Sequence, residues 1–287
     1  MVDGGLALEK KWTTVIEPKK KLLDLQLGEL WKYRDLIWLF VKRDFSTKYK
    51  QTILGPLWFI IQPLFTTLMQ TLVFGNIAGL PTDGLPQFLF YMAGNVPWLY
   101  FSLCLTATSN TFVQNASVFG KVYFPRLTSP IAAVISSGLN LFVQFIMFLG
   151  FFCYFFFSGA NVHVTWVALL TPVLIIQMAM LGLGFGIIIS SLTTKYRDLQ
   201  VLVGFGVSLW MYATPVIYSA STLSPTLLRI IMLNPMSPII ELMRYGWLGS
   251  GTTPFLYWGI SWITTAAVLF IGVVMFNKVE KTFMDTV

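Results

Sequence analysis

Six runs of twenty or more residues carry no Asp, Glu, Lys or Arg: 53–74, 85–112, 127–157, 166–192, 199–218 and 254–276. Crossing the hydrocarbon core as a helix takes about 20 apolar residues. Inside lipid, every backbone N–H and C=O must find its partner within the protein, which leaves helix as the answer for runs of this length. The expected fold is therefore an all-α polytopic membrane protein with six transmembrane helices. Only 11% of the residues are charged, against about 25% in soluble domains. The first residues, MVDGGLALEKKW, carry acids and no apolar stretch, so no cleavable signal is expected.

Charge placement orients the runs. Eleven of the nineteen Lys and Arg precede residue 53; the rest are Lys121, Arg126, Lys195, Arg197, Arg229, Arg244, Lys278 and Lys281. Lys and Arg favour cytoplasmic loops. With the N-terminus cytoplasmic, all except Arg229 and Arg244 fall on that side, so both termini are expected in the cytoplasm. The basic residues lie between apolar runs and not on the face of a soluble module, which argues against nucleic-acid binding. The expected organisation is a cytoplasmic tail (1–28), an interface helix with its lead-in (29–52), a six-helix domain (53–277) and a cytoplasmic C-tail (278–287).

Leu30, Tyr33, Ile37 and Val41 repeat at helical spacing, while Lys32, Asp35, Lys42 and Arg43 fall on another face. An amphipathic helix over 29–44 is expected in the cytoplasmic interface, with Trp31, Arg34, Trp38 and Arg43 at headgroup level. Loop 219–253 holds Ser224-Pro225 and Ser237-Pro238, and Ser followed by Pro is a helix-start signal. The apolar stretch after each is too short to span, and Asn234-Pro235 separates them. Two short re-entrant helices between spans five and six follow. Gly182, Gly184 and Gly186, and likewise Gly204 and Gly206, signal close helix packing. Cys104 and Cys153 lie in apolar runs and are expected as small buried hydrophobes without metal spacing.

Absent chemistry narrows the function. Asp83 is the one charge between residues 53 and 120, and none occurs between 127 and 194. An ion-coupled carrier usually relies on an intramembrane carboxylate or an equivalent group, although sodium held by backbone and hydroxyls alone stays open. Asp83, His163, Asp198 and Glu241 are scattered and form no catalytic or metal set. Gly120-Lys121 lacks the upstream glycine of a phosphate-binding P-loop. No cofactor is expected in this chain, and energy for active transport would enter from a partner.

Two features suggest what that partner and the cargo are. The loop NASVFGKVYFPRLTSP, residues 115–130, mixes aromatics with Lys121 and Arg126. It fits either a docking knob or a loop whose aromatics anchor at the interface. Along the spans, Trp58, Gln62, Tyr91, Trp98, Tyr100, Trp210, Tyr212 and Tyr218 carry polar handles. They fit either interfacial belts or a conduit in which rings stack on sugar C–H faces.

Four stretches carry a family resemblance: RDFSTKYKQTILGPLWFIIQP (43–63), GNVPWLYFS (94–102), ASVFGKVYFPR (116–126) and LNPMSPIIELMRYGWLG (233–249). From Leu30 onward the chain resembles the transmembrane permeases of type-2 polysaccharide ABC exporters, the O-antigen (Wzm-like) and teichoic-acid exporters. The resemblance implies a homodimer joined by two separately encoded ATP-binding subunits, which would bind the ATP and Mg. It implies ATPase coupling through loop 113–126, at Asn115, Phe119, Lys121, Val122, Tyr123, Phe124 and Arg126. It implies an outer gate over 220–252, with Asn234, Pro235, Pro238, Glu241 and Arg244. The cargo implied is a polysaccharide on a polyprenyl-pyrophosphate lipid, moved outward across the inner (plasma) membrane. The chain itself would then be a transport subunit and not an enzyme. The alternatives are a drug or small-lipid exporter on the same scaffold, and an ion-coupled carrier or channel.

Overall fold

The computed structural model describes residues 27–49, 54–119, 124–193, 196 and 198–286. Among them the secondary structure is helical, without strands. We number the main helices α1 (Leu27–Lys32), α2 (Arg34–Tyr49), α3 (Trp58–Gln70), α4 (Gln87–Ser109), α5 (Thr128–Phe157), α6 (Thr171–Thr193), α7 (Leu199–Tyr212), α8 (Pro225–Leu233), α9 (Met236–Leu248) and α10 (Phe255–Thr286). Five segments are long and apolar enough to span: Gly55–Ile77, Gln87–Ser109, Thr128–Phe157, Trp166–Thr193 and Phe255–Val279. The bent pair α8–α9 makes a sixth if counted as one span. The chain is thus a multi-pass, all-α membrane protein.

The fifth apolar run differs in form from a single spanning helix. α7 has 14 residues, about 21 Å at the helical rise, against a core about 30 Å thick. The cause is local. Pro215 disfavours helical geometry at Thr214 before it, and the chain turns through residues 213–219. The first span is also irregular, with a 3₁₀ start at Gly55–Leu57, Pro63 inside α3, and a wide π-type turn at Thr71–Ile77. At Gly75 the Gln87 side chain occupies the place a Cβ would take.

α4 is the hub, packing on α3, α5, α6, α7 and α9. α6 is clamped on both sides through its glycines. A Cβ on Gly182 would lie 2.6 Å from Cys104 Cβ of α4, and one on Gly184 would lie 3.0 Å from the Leu269 backbone nitrogen of α10. Gly204 and Gly206, which carry the same sequence signal, have nothing within 4 Å of such a Cβ; within the protomer they pack nothing. Cys104 is buried as expected, but Cys153 is exposed on the outer side of α5. Apolar character there comes from facing lipid, not from a core.

The N-terminal amphipathic segment is two helices broken at Tyr33. Leu30, Phe40 and Val41 are buried, and α2 packs on α5. Trp31, Trp38 and Leu39 stay exposed on the other side, as an element lying along a bundle at the interface would require.

Candidate functional site

At the α2 end of the bundle, the chain leaves α4 through two single helical turns, Thr111–Gln114 and Ala116–Phe119. Phe112, Phe119 and Phe124 point inward and are at most 4% exposed. Phe124 meets Phe40 of α2 at 5.7 Å and Phe119 at 5.6 Å. Phe112 meets Phe119 at 5.8 Å and stacks on Phe276 of α10 at 4.7 Å. Aromatic pairs at these separations hold one another beyond simple burial. Asn115 donates to Ser129 Oγ at 2.9 Å and to the Thr111 carbonyl at 3.0 Å. Phe119, Phe124 and Asn115 are therefore roots that fix the loop to α2, α5 and α10, not a docking surface. Arg126 lies over the Phe119 ring at 5.8 Å. Lys121, Val122 and Tyr123 lie outside the described residues.

The opposite end is organised by α8 and α9, which meet at 104°. Ser224 is extended ahead of Pro225, as a helix start requires, although its hydroxyl caps nothing. α9 starts at Met236 and not at the Ser237-Pro238 step, because Asn234 Oδ1 accepts from the Met236 N–H at 3.2 Å. The same Asn234 accepts from Trp210 Nε1 at 3.0 Å and donates to the Ala213 carbonyl at 3.0 Å and Thr214 Oγ1 at 2.8 Å. Ser261 of α10 donates to the Pro235 carbonyl at 2.7 Å and accepts from Gln177 of α6 at 2.8 Å. The joint is thus pinned to α6, α7 and α10. Asn234→Ala removes four of these bonds. It is expected to lower stability by about 1–3 kcal/mol, for stranding partly buried groups, read as a lower melting temperature in mild detergent.

α9 runs through the protein interior. Glu241 and Arg244 are 0% exposed and pair at 2.7 Å. Arg244 Nη2 donates to the carbonyls of Pro215 and Val216 at 2.9 and 3.2 Å, and its guanidinium lies 3.9 Å over Phe90 of α4. Glu241 Oε2 accepts from Thr252 N at 3.3 Å and Thr252 Oγ1 at 3.1 Å. The pair therefore ties α9 to the turn after α7 and to the loop before α10. Gly94 makes the room: a Cβ there would lie 2.8 Å from the Val216 carbonyl oxygen and 3.0 Å from Arg244 Nη2. Nearby, Asp83 accepts from the hydroxyls of Ser219 and Ser221, which closes this end of the bundle.

The aromatic path residues separate into two groups. Tyr91, Trp98 and Tyr100 are at most 5% exposed; they are core of α4 and line no open surface. Trp210 is half-buried among Trp98, Phe101 and Phe185 at 6.3, 5.2 and 5.1 Å. Tyr218 is half-buried, and Tyr212 is exposed on α7. Trp58 and Gln62 line a groove of about 280 Å³ between α3, α4 and α5, with Thr66, Leu99, Leu103, Asn140 and Gln144. Leu103 also borders a second cavity of about 590 Å³ towards α2, lined by Arg43, Thr47, Asn110, Asn115, Ser129 and Ser136. Sequence inspection for aromatics missed this polar lining. Its signal was present: Ser129, Ser136, Asn140 and Gln144 recur at intervals of seven, four and four in an apolar run, which is one face of a helix. Among the described residues no group of three or more His, Cys, Asp and Glu is placed to hold a metal.

Comparison with known proteins places this arrangement. The chain is 27% identical over 252 residues to an O-antigen export system permease protein RfbA of Klebsiella pneumoniae, covering 88% of this chain and 94% of the relative. It is 28% identical to the protein of that name from Myxococcus xanthus, covering 75% and 80%. The inner membrane transport permease YadH of Escherichia coli K12 is 26% identical, covering 76% and 83%. The family model described as ABC-2 type transporter matches residues 35–248, from the interface helix to the end of α9. The chain belongs to the ABC-2 type transporter family, as a membrane permease.

Proposed function

We propose that the chain is the membrane subunit of an ATP-driven exporter that moves polysaccharide carried on a polyprenyl-pyrophosphate lipid outward across the inner membrane. Two copies of the chain pair with two ATP-binding subunits, which hold ATP and Mg, and both termini face the cytoplasm. The observation that carries this function is the aromatic root of loop 113–126. A partner pushing on that loop acts on α2 through Phe124–Phe40 and on α10 through Phe112–Phe276. Against an ion-coupled carrier, the described residues of α3 to α7 carry no carboxylate, and the buried Glu241 of α9 is paired with Arg244 at 2.7 Å. The cargo reading is supported by relatives named for O-antigen export that align over most of their length.

The test is reconstitution with a separately encoded ATP-binding subunit from the same organism. Wild-type complex is expected to couple ATP hydrolysis to appearance of surface polysaccharide. Phe124→Ala is expected to keep the complex assembled but lower export per ATP, because the loop loses its contacts with Phe40 and Phe119. No co-purifying ATPase in mild detergent, or unchanged coupling in Phe124→Ala, would refute the reading. Export of a small lipid without polysaccharide would replace the cargo.

A further inference from the structure

We infer that the groove between α3, α4 and α5 is a contact track for the uncharged, hydroxyl-bearing part of the cargo; this rests on the function proposed above. The two cavities share Leu103 and are lined along α5 by Ser129, Ser136, Asn140 and Gln144. From Ser129 to Gln144 the stripe covers about 22 Å at 1.5 Å per residue, most of the hydrocarbon thickness. Opposite it stand Gln62 and Thr66 of α3 and Thr106 and Asn110 of the α4 end.

Two features select the occupant. First, the lining is polar along its length: Ser129, Ser136, Asn140 and Gln144 on one side face Gln62, Thr66, Thr106 and Asn110 on the other. A lipid tail or an apolar helix laid in the groove would cover these amides and hydroxyls without bonding them, which is costly. An O–H-rich chain supplies donors. Second, among the described residues the lining carries no net charge. Its charged residues are Arg43 and Asp44 at the α2 end, and these pair with each other at 2.8 Å. Amides and hydroxyls exchange modest bonds with successive hydroxyls and let them go, and the aromatic Trp58 lines the same groove. Among the described residues of the track, no unpaired charge stands ready to hold a polymer tightly and stall it.

The experiment uses the full complex in cells that display surface polysaccharide. Asn140→Leu with Gln144→Leu is expected to cut export about tenfold or more, while Asn140→Ser with Gln144→Ser keeps most of it. Assembly with the ATPase is checked by co-purification. In parallel, a benzoylphenylalanine photo-probe replaces Leu103 in otherwise wild-type chain, so the result does not depend on the leucine pair folding. Carbohydrate staining of the cross-linked band supports the track. Wild-type export from the leucine pair, or cross-links to phospholipid or a second copy of this chain alone, overturns it. If wild-type complex exports no polysaccharide at all, the proposed function fails first. If it does export and Leu103 captures none, the groove assignment alone fails.

Discussion

Arg244→Met is expected to remove most folded protein from the membrane and to abolish export. The substitution strands the Glu241 carboxylate at 0% exposure. Removing one partner of a buried ion pair costs about 3–5 kcal/mol, comparable with a small domain's whole stability. It also unpairs the carbonyls of Pro215 and Val216, which no longer continue a helix and depend on Arg244 Nη2. Arg244→Lys is expected to rescue little. One ammonium cannot reproduce the planar fork that reaches Glu241 with Nη1 and the two carbonyls with Nη2. The double substitution Arg244→Met with Glu241→Leu is expected to recover part of the loss, because no buried charge is then left alone. The two carbonyls remain unpaired, so recovery stays incomplete. Size-exclusion profiles and melting in mild detergent rank the three. An Arg244→Met protein as stable as wild type would show that the pair is not what fastens α9 to the turn after α7.

What could be read from the sequence follows from what lipid imposes. The charge-free runs, the interface helix and the α8–α9 break were legible because each rests on a one-dimensional signal: length, period, or a Pro that cannot continue a helix. Glu241 and Arg244 stood out as charges in an apolar stretch, and their spacing of three puts them on one helix face. Their partners Pro215, Val216 and Thr252 were not legible, since these come from turns whose paths depend on the packed bundle. The aromatics misled for a related reason. Trp98 and Tyr100 on α4 satisfy the composition of a conduit and of a core equally well, and only the helices around α4 decide. The polar stripe of α5 was legible in principle, because a polar residue costs most where lipid surrounds it. It needed the helical period applied to the polar residues of the run as well as the apolar ones.

Gly184→Leu is expected to destabilise the protein at both ends of the bundle, whereas Gly204→Leu leaves the protomer folded. The Gly182-x-Gly184-x-Gly186 pattern puts alternate glycines on opposite sides of α6. Gly182 and Gly186 face α4, and Gly184 faces α10. A leucine at 184 meets the Leu269 backbone, which cannot rotate away as a side chain does. From the other side, Gly272 of α10 comes close to Ile187, with a Cβ there 2.7 Å from its Cγ1. Overpacking of this kind costs about 1–3 kcal/mol or more. Its reach exceeds the local clash because α10 is tied at both ends. Near one end Phe276 stacks on Phe112 beneath the loop, and near the other Ser261 holds the Pro235 carbonyl at the α8–α9 joint. Pushing α10 away from α6 therefore strains the loop 113–126 end and the α8–α9 joint together. Melting temperature and ATPase co-purification should fall in Gly184→Leu and stay at wild-type values in Gly204→Leu. If the damage is confined to the joint, with the ATPase still bound and coupled, α10 does not act as a rigid strut between the two ends.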